Sequence, residues 1–307
     1  MDPATKTTET AGTAGTVGPV GAVPAAPGSD SGARSTQEVR VAADGFSTMD
    51  NVSTAGPTNA PGPAPAPARA RVANGWSRPV DRLAVGSVPA TALNLNVEGR
   101  RLVGPVQGFG RLWQKRYRVR FDGADVTPQQ VVATWKAEFA SFWPQGNRFY
   151  GPITSLEAGE VALLNLAMPG RQTLSTGVMV IYADDESFTF MTPEGHMFAA
   201  WITFSATAER EATAVSIEVL LRTNDPLYEL SMALGGHRVE NAFWLATLRN
   251  LAARFGVEGD PTFEQTCVDR RRQWRNARNI RYNAAVRSGV HTVTHPWLMF
   301  RRSGDNA

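Results

Sequence analysis

Residues 174–226 read LSTGVMVIYADDESFTFMTPEGHMFAAWITFSATAEREATAVSIEVLLRTNDP, and the spacing of apolar side chains in this stretch decides the fold. Four segments, 174–182, 187–191, 197–205 and 213–222, are rich in β-branched and aromatic residues. They are separated by the turn-forming groups Asp184-Asp185-Glu186, Thr192-Pro193-Glu194-Gly195 and Glu209-Arg210-Glu211. Connections that short permit only hairpins, so the sheet is expected to be antiparallel and to meander. In the last segment Val215, Ile217, Val219 and Leu221 face one way and Ser216, Glu218 and Arg222 the other, which marks an inner side. Asp225 then supplies an N-cap and Pro226 a first turn, opening a helix that runs to Gly256. Leu227, Leu230, Leu234, His237, Asn241, Leu245, Leu248 and Ala252 recur along one stripe, widened by Trp244, Leu251 and Phe255. Gly235-Gly236 interrupts it and is expected to mark a kink or a break into two helices. Hairpins followed by one amphipathic helix bury both apolar surfaces most simply by curling the sheet around the helix. The space between them is expected to be a cavity.

Working outward, 160–168 supplies a further strand ahead of Pro169-Gly170. Before it, Trp113, Tyr117, Val119 and Phe121 alternate with Arg116, Arg118 and Arg120, the signature of a strand with one buried and one basic, wet face. Lys115 falls in phase with the apolar set, so either the strand starts after it or that end reaches solvent. Thr127-Pro128 caps a helix in which Val131, Trp135, Phe139 and Phe142 recur at helical spacing up to Trp143-Pro144. Residues 146–152, Gly-Asn-Arg-Phe-Tyr-Gly-Pro, carry turn chemistry around two aromatics.

The flanks differ in kind. Residues 1–85 are dominated by Ala, Gly, Pro, Thr, Ser and Val, with Pro61, Pro63, Pro65 and Pro67 alternating mainly with Ala, and are expected to be disordered. The start has no basic segment followed by an apolar core, and no apolar run approaches a membrane span, so a soluble, cytoplasmic protein is expected. One cysteine, Cys267, excludes an internal disulfide and a cysteine-rich metal site. The formal charge is only +3, but arginines 270, 271, 272, 275, 278, 281, 287, 301 and 302 gather after Asp260 against few carboxylates. The expected organisation is a disordered segment 1–85, a globular domain 100–257 and a basic, helical tail 258–307.

The order strand, helix, antiparallel meander, long C-terminal helix over about residues 111–257 resembles the START-like, or SRPBCC, superfamily. Within it, Pro152-Ile153 through Gly159-Glu160-Val161, Ser187-Phe188 and Pro193-Glu194-Gly195-His196 look like bacterial members of unknown function. The resemblance implies an α+β helix-grip fold, a curved antiparallel sheet wrapped around a long C-terminal helix. It also implies a hydrophobic pocket for lipids, polyketides, sterols or other apolar ligands, in carriers, cyclases or oxygenase domains. The Cys-His pairs that hold an iron-sulfur centre in the oxygenases are missing, so that branch is excluded and no cofactor is expected.

Pocket walls are expected from Trp135, Phe139, Phe188, Phe190, Phe198, Ile202, Phe204, Val219, Leu230, Leu234, Trp244 and Leu248, with His237 and Asn241 as polar anchors one helical turn apart. The partner would be a small apolar or aromatic molecule or a lipid. Three further constellations carry less. His196 follows a turn close in sequence to Asp184-Asp185-Glu186, but no nucleophile elbow accompanies it, and acidic residues at hairpin tips are usually turn formers. His291 and His295 stand four apart, yet two ligands make half a metal site, and Thr292, Val293, Thr294 and Pro296 argue against a helix there; no metal is expected. Asp260-Pro261 is expected to cap a helix over 263–286 in which Trp274, Ile280 and Tyr282 lie among arginines. That composition suits nucleic acid or an anionic membrane, with the N-terminal segment as a tether, though arginines fall on nearly every side of the helix. The alternatives to a plain binding protein are therefore a cyclase- or dehydratase-type enzyme with His237 or His196 as acid-base group, and an interaction protein working through the tail.

Overall fold

The computed structural model describes residues 71–304 except 90, 152–155 and 169–171, and the side chains of these except 172 and 295–304. The expectations for residues 1–70, for Pro169-Gly170 and for the Pro152-Ile153 part of the resemblance lie outside the described residues.

The strands are β1 (Leu102–Val103), β2 (Leu112–Asp122), β3 (Arg148–Tyr150), β4 (Val161–Met168), β5 (Gln172–Ala183), β6 (Ser187–Pro193), β7 (Phe198–Glu209), β8 (Ala212–Thr223) and β9 (Thr262–Asp269). Among the described residues they pair in the order β3-β4-β5-β6-β7-β8-β2-β9, every pair antiparallel, while β1 pairs the end of β6. The hairpin meander is as the turn chemistry dictates. What the sequence does not show is that β8 returns to β2, which places Lys115 beside Val219 and Tyr117 beside Ile217.

Two helical layers fill the inner face. In α1 (Pro128–Ala137), Thr127 Oγ1 accepts the Gln130 N–H at 3.2 Å and Gln130 Oε1 accepts the Thr127 N–H at 2.9 Å. This reciprocal cap satisfies two otherwise unbonded donors and is worth roughly 1 kcal/mol. A 3₁₀ turn, Phe139–Phe142, continues the aromatic side. After β8, Asp225 Oδ1 accepts the N–H groups of Leu227 and Tyr228 and opens α2 (Pro226–Ser231). A wide turn, Met232–Gly236, follows, with Gly235 at φ 118°, and α3 (His237–Arg254) restarts beyond it. The Gly235-Gly236 interruption is thus a break into two helices. Trp244, Leu248, Leu251 and Ala252 of α3 pack with inward residues of β2, β6, β7 and β8 in one core. Each large apolar side chain so buried contributes roughly 1.5–3 kcal/mol. This is a helix-grip architecture of the α+β class.

Three expectations need correction. Residues 71–85 are not free of the domain: Leu83 is buried with Leu163 and Met179, and Trp76 bridges Tyr182 with ring centroids 4.9 Å apart. The segment 258–307 is not a uniform helical tail, and the helix expected over 263–286 does not form. Its first part is β9, which pairs the free edge of β2 from Arg118↔Thr262 to Leu112↔Asp269. Thr, Phe, Cys and Val there suit a strand, and the open edge of β2 offers backbone partners that outweigh the local helix signal. A 3₁₀ stretch, Trp274–Tyr282, and α4 (Ala284–Gly304) follow. Finally, α4 spans His291 and His295, where the sequence argued against a helix; Asn283 Oδ1 caps it by accepting the Val286 N–H at 3.0 Å. Asn96 ties α4 to β5, donating to Ser175 O at 2.8 Å and Ser288 Oγ at 3.3 Å. Among the described residues no helix is long and apolar enough to cross a membrane.

Candidate functional site

The inward face of β2 carries Trp113, Lys115, Tyr117, Val119 and Phe121, so Lys115 points with the apolar set into the protein. It neither ends the strand nor reaches solvent: its exposure is 0%. The first turns of α3 set Glu240 and Asn241, both buried, directly over it. Lys115 Nζ donates to Glu240 Oε2 at 2.6 Å and to Asn241 Oδ1 at 2.9 Å, and the Tyr117 hydroxyl donates to the same Asn241 oxygen at 2.7 Å. One turn earlier, the half-buried His237 meets Trp113 edge to face, with ring centroids 4.8 Å apart. His237 Nδ1 and Glu240 Oε1 are buried without hydrogen-bond partners.

Burial pushes the Glu240 carboxyl above its ordinary range, further than the Lys115 ammonium pulls it back. Burial, and then the Lys115 cation, hold His237 down at about 4, so its imidazole is neutral at physiological pH. The Tyr117 hydroxyl is raised by burial and by the nearby Glu240 carboxylate, and stays protonated. The cluster therefore offers a buried ammonium, a carboxyl group whose hold on a proton burial strengthens and a neutral imidazole.

Behind the cluster the space between sheet and helices, expected to be a cavity, is instead occupied by rings. Trp135 meets Phe204 at 5.2 Å and Phe188 at 5.8 Å; Phe139 meets Phe149, Phe190 and Phe204 at 4.8, 5.3 and 5.2 Å; Phe204 meets Trp244 at 5.7 Å. Most of these contacts are edge to face, the arrangement aromatic quadrupoles favour. Two indole nitrogens in this layer, Nε1 of Trp135 and of Trp143, are buried without partners. Two surface depressions lie elsewhere. One, about 660 Å³, opens between the turn after β2 and the α3–β9 connection, around Arg118, Arg120 and Val257. The other, about 220 Å³, sits on the opposite face of the sheet around Trp201, Leu220 and Arg275. None of the expected pocket residues lines either one.

The expected residues divide as follows. Trp135, Phe139, Phe188, Phe190, Phe198, Ile202, Phe204, Val219, Trp244 and Leu248 are all buried in the core on the inner side. Asn241 is buried in the polar cluster and His237 stands at its edge. Leu230 and Leu234 must be corrected: they are exposed, Leu230 because the break at Gly235 takes α2 out of the register that buries α3, and Leu234 because it lies in the break itself. His196 is buried, its Nδ1 accepting the Phe198 N–H at 2.9 Å, and desolvation lowers it to about 4. Asp184 and His196 flank opposite ends of β6, about 20 Å apart at ~3.3 Å per residue, so they share no site. Asp184 instead bonds the Tyr182 hydroxyl and the N–H groups of Glu186 and Ser187, closing its own turn. Among the described residues no group of three or more His, Cys, Asp or Glu side chains could hold a metal. The sequence reading missed the Lys115–Glu240 pair. Its signal was there, a lysine in phase with an apolar strand face and a glutamate beside Asn241, but β2 and α3 lie more than a hundred residues apart.

The helix-grip class is as far as architecture and site together define this protein. No protein-family model matches the chain, and no curated protein matches it. Solved structures similar to it include the di-domain ARO/CYC StfQ from the steffimycin biosynthetic pathway, 12% identical, covering 48% of this chain and 53% of that one, with a TM-score of 0.39. A protein from Rhodobacter sphaeroides is 17% identical over 50% of this chain and 96% of its own, with a TM-score of 0.34. One from Mycobacterium smegmatis is 13% identical over 45% and 89%, with a TM-score of 0.33. At these values the likeness carries no argument about activity, and the fold assignment rests on the architecture itself.

Proposed function

We propose that this protein binds a small, flat, largely apolar or aromatic molecule bearing an oxygen function, with that oxygen held at the Lys115–Glu240–Asn241–Tyr117 cluster beside His237. The observation that carries the reading is the fully buried Lys115 paired with a buried Glu240 inside an aromatic interior. Well-packed apolar residues would stabilise that position as well or better, because desolvating two charges costs as much as their attraction returns. Unpartnered buried atoms, Glu240 Oε1, His237 Nδ1 and Trp135 Nε1, support the same reading, since buried polar groups are nearly always bonded. An aromatic guest would exchange ring contacts with Phe139, Phe188 and Phe204 for ring contacts of its own, so the filled interior favours flat molecules over long acyl chains. The lone Cys267 is free, which fits the cytoplasm as the compartment.

A second reading is favoured by the raised Glu240 carboxyl next to an ammonium and a neutral imidazole: acid-base chemistry of the cyclase or dehydratase kind on the same scaffold. Native mass spectrometry of the full chain purified from its own cells tests the first reading. A retained adduct that disappears in Lys115→Met supports it. Neither an adduct nor a change in tryptophan fluorescence with a panel of planar aromatic compounds would sink it. If an adduct is found, Glu240→Gln and His237→Ala separate the two readings: loss of turnover with binding retained makes it an enzyme, and equal loss of both makes these residues anchors.

A further inference from the structure

The helix before the break turns its apolar stripe to solvent. Leu227 and Leu230 of α2 are 40% and 55% exposed, Leu234 in the wide turn that follows is 79% exposed, and Tyr228 is the one buried residue of α2. Trp274, 73% exposed, stands at the start of the 3₁₀ stretch fastened to this same end. The fastening is specific: Arg272 pairs Glu229 at 3.0 Å, Asn279 Nδ2 donates to Asn224 O at 3.0 Å and Asn283 Nδ2 donates to Asp225 Oδ2 at 2.8 Å. Charge here is one-sided. The carboxylates of residues 223–241 are Asp225, Glu229 and Glu240; Asp225 and Glu240 are buried and Glu229 is bonded to Arg272 and Thr223. Residues 270–287 contain no carboxylate, while Arg238, Arg271, Arg275 and Arg278 are exposed.

We propose that this end of the molecule docks on an anionic lipid bilayer, with Leu227, Leu230 and Leu234 entering the interface and the arginines meeting the headgroups. Exposed aliphatics, an exposed tryptophan and exposed arginines on adjoining segments are the combination that such a surface attracts. A second copy fits less well, because a two-fold contact would set arginines against arginines. The docking surface stands apart from the ligand reading: a protein with a permanently filled interior would dock equally well.

Vesicle flotation of the full chain tests it, with phosphatidylcholine alone and with phosphatidylcholine–phosphatidylserine mixtures. Binding is expected to the anionic vesicles, weaker by about tenfold or more on neutral ones or when salt rises from about 0.1 M to about 0.5 M. Leu230→Glu with Leu234→Glu should cost about tenfold or more in vesicle affinity. Both positions are exposed, so the melting temperature should hold. No binding to anionic vesicles at low salt, binding unchanged by the double substitution, or a dimer in solution that the substitution dissociates would each overturn the proposal.

Discussion

Replacing Lys115 by methionine tests the buried cluster most directly. The side chain keeps its length and loses its charge, leaving the Glu240 carboxylate buried opposite nothing and Asn241 Oδ1 with only the Tyr117 hydroxyl as donor. Breaking a buried ion pair from one side costs about 3–5 kcal/mol, because the remaining carboxyl must either stay charged without its attraction or take up a proton to be buried. For a domain of this size that corresponds to a melting temperature lower by roughly 10 °C. Replacing both partners, Lys115→Met with Glu240→Leu, should recover most of the loss, so the double-mutant cycle should show coupling of about 2 kcal/mol or more. The pH dependence carries a sign. Burial already raises the Glu240 carboxyl, and without the ammonium nothing nearby pulls it down. The native state of the single variant then holds a proton that the unfolded chain has released. The share of stability that this carboxyl contributes is therefore greatest in acid and is lost as pH rises through the raised value. The deficit should be smallest in acid and grow across the range as pH rises. Urea denaturation of the single and double variants across that range measures it. A single variant as stable as the parent, or a deficit independent of pH, would refute the reasoning.

Other outcomes follow from neighbouring features. Gly235 has φ 118° and open space where a Cβ would stand, so Gly235→Ala should cost about 1–2 kcal/mol from backbone strain alone, read by chemical denaturation. Leu234→Ala should change stability by less than about 0.5 kcal/mol while Leu248→Ala costs about 2–5 kcal/mol; similar losses at the two sites would contradict the break in register. His237, held down at about 4 by burial and Lys115, should show no imidazole titration by NMR between about pH 5 and 8. Because the unfolded chain takes up that proton first, its share of stability is lost as pH falls from about 6.5 toward 4. In Lys115→Met the imidazole should titrate at higher pH, since a repelling cation has been removed.

The sequence by itself determined the hairpins, the caps and the core. Period-two patterning and short turns specify β4 to β8 locally, and Thr127, Asp225 and Pro226 act within a few residues of where they sit. Contacts between distant segments were decided only by the tertiary structure. The strand β9 exists because β2 leaves an open edge, and Thr262–Asp269 would otherwise follow the helix cap written before it. Leu230 and Leu234 lie on a continuous apolar stripe in the sequence, yet a break at one glycine at positive φ leaves them in water, since residues before and after such a break no longer share one helical face. The buried cluster is the plainest case. Lys115 in an apolar strand looks like a strand end until β8 and α3 close over it and supply Glu240 and Asn241. A charge can enter a core only where its partner arrives from elsewhere in the fold, and nothing in the local sequence states that it will.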